Sequence, residues 1–143
     1  MYYNLLNPSA AFYERKRWDD HHFSGLINQC IKHDMGIMGI RIFAAGFLAT
    51  DIRHGREIPV TKGISELEQK RRINKLFDLI NNKEETRAQT SIRYGLSNEN
   101  LSCIVTGLAK IEHLDEIIEA SKMGPLDKKI LEKIFLLQKS NFA

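Results

Sequence analysis

The chain has 143 residues, 43% hydrophobic and 27% charged, with a formal net charge of +3, which is one domain's worth of polypeptide. The basic residues are scattered, so no concentrated footprint for nucleic acid is offered, and no apolar run reaches the roughly 20 residues of a membrane helix. With no charged-then-apolar leader at the N-terminus, the expectation is a soluble, cytoplasmic protein without nucleic-acid or membrane partners.

In chain order, Tyr2 to Leu6 predict a short strand, stopped by Asn7-Pro8-Ser9 because proline cannot donate to a ladder. A loop carrying Arg15, Lys16, Arg17 and Trp18 follows; a basic run of this kind reads as solvated surface, with a place for Trp18 on a substrate rim as the sharper alternative. His21 and His22 are adjacent, project differently and lack a third ligand, so a solvated helix entry is favoured over a metal site. From Phe23, the positions Phe23, Leu26, Ile27, Cys30 and Ile31 make one helix face that ends near Asp34 to Gly36.

The run Gly36 to Leu48 has no polar alternation, which predicts a strand over Ile37 to Phe43 buried on both faces, as in a parallel sheet covered by helices. Ala44 to Ile64 then reads as a loop far longer than the usual connection. Ser65 with Glu68 predicts a capping box opening a helix that presents Ile73, Leu76, Phe77 and Ile80. A helix from about Glu84 to Leu96 follows, with Ala88, Ile92, Gly95 and Leu96 inward. A third strand is expected at Leu101 to Thr106. After it comes a helix with Ile111, Leu114, Ile117 and Ile118 on one side, a stop and restart at Gly124-Pro125, and a last helix from Leu126 to about Gln138 using Ile130, Leu131, Ile134 and Phe135. Cys30 and Cys103 each sit in an apolar pattern without CxxC spacing, which favours buried, reduced thiols over a disulfide, the minor alternative.

Strands joined through helices are parallel with right-handed crossovers. Function in such sheets collects at the carboxyl ends of the strands, which here follow Phe43 and Thr106. Three strands leave two unpaired edges, which soluble proteins avoid, so the expected architecture is α/β with its edges either hidden by another chain or belonging to a larger fold.

The motifs Tyr3-Asn4-Leu5-Leu6-Asn7-Pro8-Ser9-Ala10, Gly36 through Leu48, Ile104-Val105-Thr106-Gly107 followed by Glu112, Leu114 and Glu116, and Met123-Gly124-Pro125-Leu126 stand in order and at the right spacing. Together they resemble the C-terminal portion of the aldo/keto reductase family, with the sugar and fucose dehydrogenase branch the nearest likeness. The resemblance covers nearly the whole chain. It implies the C-terminal part of a TIM (β/α)8 barrel, strands six to eight with their helices and a C-terminal helix.

The resemblance also implies a bound nicotinamide dinucleotide, NADP or NAD. Ile40, Arg41, Phe43, Ala44 and Gly46 would hold the pyrophosphate and cover the nicotinamide. The backbone of Gly107, Leu108 and Ala109 would receive phosphate ahead of a helix N-terminus, where free amides and the helix dipole favour an anion. His113, Glu116 and Ile117 would contact the adenosine end. Gly107 stands where the family often has a basic residue and Ile117 where it often has asparagine. Lys110, His113 or Arg41 could meet a 2′-phosphate, and the choice of dinucleotide stays open.

The family's catalytic aspartate, tyrosine, lysine and histidine lie on the first four barrel strands, which have no counterpart here. Tyr2, Tyr3, Tyr13 and Tyr94 stand in other contexts. Carbonyl reduction needs a positioned acid beside the hydride donor, so this chain alone is expected to be inactive toward aldehydes, sugars or small alcohols. The rival readings are a stand-alone nucleotide-binding or interaction module whose open strands pair with a partner chain, such as the missing barrel half, and a degenerate product without function.

Overall fold

A computed structural model describes residues 1–12, 22–53, 55 and 64–143. The basic run with Trp18, together with Tyr13 and His21, lies outside the described residues. Among the described residues seven elements follow in order: α1 (Leu26–Lys32), β1 (Met38–Gly39), α2 (Glu66–Ile80), α3 (Arg87–Leu96), β2 (Cys103–Ile104), α4 (Ile111–Met123) and α5 (Lys128–Lys139).

The strands are shorter than the apolar runs suggest. β1 and β2 pair in parallel, Met38 opposite Cys103 and Gly39 opposite Ile104. Before them, Tyr2 makes a single parallel bridge to Ile40. The N-terminal segment leaves the ladder at Asn4, whose Oδ1 accepts from the amides of Leu6 (3.0 Å) and Asn7 (2.9 Å) and turns the chain back on itself. The spatial order is therefore first segment, β1, β2, each parallel to the next, the arrangement that crossover connections impose.

The expected strand over Ile37 to Phe43 stops at Ile40. Arg41, Ala44 and Ala45 all have positive φ (61°, 46° and 59°), and the chain coils into consecutive turns up to Ala49. Burial on both faces is also corrected. Ile37 faces the core at 3% exposure, whereas Met38 is 60% and Val105 49% exposed. Cys103 is exposed rather than buried, while Cys30 is buried as expected; both thiols are free.

Two helix starts show how local chemistry sets boundaries. The Ser65 hydroxyl accepts from the Glu68 amide (3.2 Å), but the Glu68 carboxylate turns to Arg71 and Arg72, so only half of the expected capping box forms. The complete box lies at Thr86 and Gln89, which delays α3 to Arg87. α1 begins at Leu26, three residues later than Phe23, behind Gly25 in the left-handed conformation. Pro125 precedes the N-cap Asp127 of α5 and so lies outside its first turn, and Gly124 closes α4 with φ 71°.

The core lies between the helices and one side of the sheet. Ile73 and Leu76 of α2, Ile134 of α5, and Leu5, Leu48 and Phe142 are buried there. Phe142 follows the last helix, and its carbonyl accepts from Lys75 (3.3 Å) while Arg72 lies over its ring, fastening the tail to α2. A smaller cluster joins Ile42, Ile92 and Ala120 between α3 and α4. Of the stripe expected on α4, Ile117 packs into this cluster, but Ile111, Leu114 and Ile118 stay exposed. Phe135 of α5 is likewise 39% exposed.

Candidate functional site

The turns after β1 and the residues after β2 lie side by side because the two strands are parallel neighbours. Between them and the facing ends of α3 and α4 is a pocket of about 460 Å³. Of the residues expected to bind a dinucleotide, Arg41, Phe43, Gly46, Gly107, Leu108, Ala109, His113, Glu116 and Ile117 line it. Ile40 and Ala44 do not. Ile40 is held in the ladder by its bridge to Tyr2, and Ala44, 1% exposed, points into the core.

Seven further residues complete the lining: Ile42, Ala45, Ala49, Thr50, Ala88, Val105 and Thr106. Ala88 belongs to the first turn of α3 and reaches the pocket only through tertiary packing, so periodicity could not have found it. Thr50 and Ala49 lie at the end of the turn run that Gly46, with φ 92°, permits.

Several bonds hold the walls. The Ser91 hydroxyl of α3 donates to the Leu48 carbonyl (3.1 Å), and Arg87 pairs with Asp51 (2.7 Å), so both ends of this loop segment are tied to α3. Thr86, the N-cap of α3, donates through its hydroxyl to the Glu116 carboxylate of α4. The His113 Nδ1 accepts from the Ala109 amide (3.4 Å).

The polar inventory suits an anionic, extended ligand. Arg41 is exposed at one side of the pocket, its guanidinium 5.8 Å from the centre of the Tyr2 ring, and pairs with no described carboxylate. α4 starts from Lys110 without a side-chain cap, so its first amides are unclaimed by side-chain oxygens. A Cβ placed on Gly107 or Gly46 would meet nothing within 4 Å, so open space adjoins the backbone at both. The residues present therefore fit a nucleotide pyrophosphate, with apolar walls from Phe43, Val105 and Ile117 for flat rings.

The buried tyrosines lie elsewhere. Tyr3 and Tyr94 stack with ring centres 5.2 Å apart and planes 10° apart. Burial pushes both hydroxyls up, Tyr94 well above its ordinary value, the reverse of what a proton donor tuned toward neutrality needs. Among the described residues no three His, Cys, Asp or Glu side chains cluster as metal ligands, and His22 bonds through Nδ1 to Ser24 (2.8 Å). No described helix is long and apolar enough to cross a membrane.

The chain matches the sequence profile of the aldo/keto reductase family over residues 2–136. It is similar to solved structures of the aldo-keto reductase AKR11C1 from Bacillus halodurans, in holo and apo forms, each with a TM-score of 0.68 at 15% identity. The match covers 96% of this chain and 41% of that one, so this chain spans about two fifths of the length of the structure it matches. At that identity the likeness speaks for the fold. No curated protein matches the chain.

Proposed function

Since this chain belongs to the aldo/keto reductase family, we propose that it is the C-terminal part of an NAD(P)-dependent reductase barrel, its three parallel segments standing as strands six to eight. The pocket between Arg41 and Glu116 then holds the pyrophosphate and adenosine end of NADP or NAD. The observation that carries this reading is the convergence of two strand tips and an uncapped helix start on one pocket. In this role the Arg41 guanidinium and the amides from Gly107 to the start of α4 meet the phosphates, while His113, Glu116 and Ile117 surround the adenosine.

The dinucleotide, when bound, supplies hydride to or accepts it from a small aldehyde, sugar or alcohol. What this chain's residues contribute is binding and orientation. The apolar lining excludes water from one side, and Arg87 with Asp51 and Ser91 with Leu48 hold the loop that forms the other. Proton delivery falls to groups outside this chain, so the isolated chain is inactive in this reading, and it acts as a cytoplasmic, soluble component.

Titration of the chain with NADH and with NADPH, followed by cofactor fluorescence, tests the binding half; saturable enhancement with either supports it, and none with both counts against a preformed site. Dinucleotide oxidation coupled to carbonyl reduction by the pure chain would overturn the claim of inactivity. The gene sequence ahead of Met1 provides the other test, since strands one to five with a tyrosine and lysine pair are expected there or in a separately encoded partner.

A further inference from the structure

β1 ends on a reversal of sides. Side chains alternate along an extended strand, and here Ile37 and Gly39 are buried while Met38 between them is 60% exposed. Continued alternation would send Arg41 inward with Ile37 and Gly39, and Ile42 outward with Met38. The opposite is found: Arg41 is exposed and lines the pocket, and Ile42, 1% exposed, joins Ile92 and Ala120 in the smaller core cluster. The φ of 61° at Arg41 marks where the alternation reverses. This left-handed residue keeps a guanidinium out of an apolar cluster and delivers it to the pocket.

Left-handed backbone costs free energy for any residue with a Cβ, so it persists only where the surroundings hold it. Two donors hold this one by the Arg41 carbonyl. The Ala44 amide bonds to it at 2.8 Å and closes the turn, and the Asn4 Nδ2 bonds to it at 2.9 Å, from 37 positions away in sequence. Asn4 is 1% exposed, and its Oδ1 is taken by the amides of Leu6 and Asn7. Those amides can bond only to the oxygen end, which leaves the nitrogen end for the Arg41 carbonyl. The same segment supplies the Tyr2 ring beside the guanidinium. Backbone and side chain of Arg41 are thus both set from the first segment.

We propose that Asn4 is a positioning residue for anion recognition: by holding the Arg41 carbonyl it fixes the left-handed turn that aims the guanidinium at the phosphates of a dinucleotide. This rests on the functional reading above. Asn4 does not line the pocket, so it acts through Arg41. A serine at position 4 can still accept from a nearby amide, but it is too short to reach the Arg41 carbonyl. Without that bond the turn is held from one side only, and Arg41 relaxes toward the extended φ that carries its side chain away from the pocket.

NADH and NADPH are titrated by cofactor fluorescence against the parent chain, Asn4→Ser, Arg41→Ala and the double variant, with circular dichroism to establish that each is folded. Asn4→Ser is expected to weaken binding about fivefold and Arg41→Ala about tenfold, while the double variant stays within about twofold of Arg41→Ala, because Asn4 then has nothing left to aim. Losses that multiply in the double variant overturn the proposal, since they show Asn4 acting on the fold at large. So does an Asn4→Ser chain that binds like the parent. Where Asn4→Ser does not fold, Asn4→Asp replaces it, keeping the shape and the acceptor oxygen and removing the donor. A second readout involves no dinucleotide. Hydrogen exchange of the Ala44 amide, which shares the Arg41 carbonyl, is expected to quicken at least about tenfold in Asn4→Ser, while the amides of Ile73 and Leu76 in α2 keep their rates. Unchanged Ala44 exchange overturns the proposal as well. A parent chain that binds neither dinucleotide sinks the functional reading and the phosphate half of this one with it; quickened Ala44 exchange then leaves the hold of Asn4 on the turn standing.

Discussion

The hydroxyl of Thr86 serves two partners at once: it accepts from the Gln89 amide (3.1 Å), capping α3, and donates to the Glu116 carboxylate across the gap to α4. One side chain thereby ends a helix and braces a pocket wall. Thr86→Ala removes both bonds and is expected to lower stability by about 1–2 kcal/mol. Urea unfolding measures this directly. Thr86→Ser keeps a hydroxyl at the same place and is expected to lie close to the parent; a serine variant as unstable as alanine would mean that the methyl group's packing, not the bonds, is what matters.

Gly107 separates binding from folding. Its φ is not in the left-handed region and a Cβ there meets nothing within 4 Å, so a side chain fits the fold. That same open space belongs to the pocket. Gly107→Val is expected to leave the unfolding free energy within about 0.5 kcal/mol of the parent, yet to weaken dinucleotide binding about tenfold or more, a loss of about 1.4 kcal/mol. Parallel urea and fluorescence titrations decide it, and unchanged affinity would place the phosphates elsewhere.

Much of the helical layout was legible because 3.6-residue periodicity is a property of sequence; Ile73 and Leu76, or Ala88 and Ile92, announce their faces without help. What periodicity lacks is the neighbour. Ile111, Leu114 and Ile118 do share an apolar stripe, but which stripe of α4 is covered depends on where α3 packs. The run Gly36 to Leu48 shows the same limit in another form. Its apolar composition signals burial, and Ile42 and Leu48 are buried, but nothing in Arg41, Ala44 or Ala45 marks them for positive φ, a conformation that tertiary contacts impose. The turn at Asn4 is carried by the residue itself, whose side-chain oxygen accepts from the amides two and three positions on. At the pocket, resemblance brought together strand-tip residues that really are adjacent, and missed Ala88 because a helix arriving from the side leaves no mark at the strands.

The buried pair Tyr3 and Tyr94 sets an alkaline limit. Burial raises both hydroxyls, and Gln138, whose Nε2 donates to the Tyr94 oxygen (3.1 Å) and the Leu5 carbonyl (3.0 Å), completes the network. In the unfolded chain each tyrosine ionises near its ordinary value of about 10. A group whose folded value lies higher favours the native state fully below that pH, and its contribution is lost as the pH rises beyond it. Stability is therefore expected to fall steeply above about pH 10, and Tyr94→Phe to soften that fall. Melting temperature against pH measures both. Gln138→Leu should cost about 1–3 kcal/mol at neutral pH, since it strips the buried Leu5 carbonyl of its donor while the Tyr94 hydroxyl keeps its bond to Tyr3.

The acid limb belongs to Glu68. Hydrogen bonds from Arg71 and then Arg72 hold its carboxyl at about 2 instead of the ordinary 4.5. With the folded value depressed, the stabilisation is complete above the unfolded value and drains away as the pH falls from about 4.5 to about 2. The carboxylate is open to solvent, so salt screening should shrink the effect. Arg72 is the consequence worth following. It is largely buried over the Phe142 ring, and when Glu68 is protonated its guanidinium loses its ion-pair partner beside the tail that closes the core. Glu68→Gln is expected to start from a lower urea midpoint at neutral pH and to show a flatter decline through the acid window, the two curves converging at its lower end. A variant whose curve stayed parallel to the parent's down to the lowest pH would show that the acid sensitivity arises elsewhere.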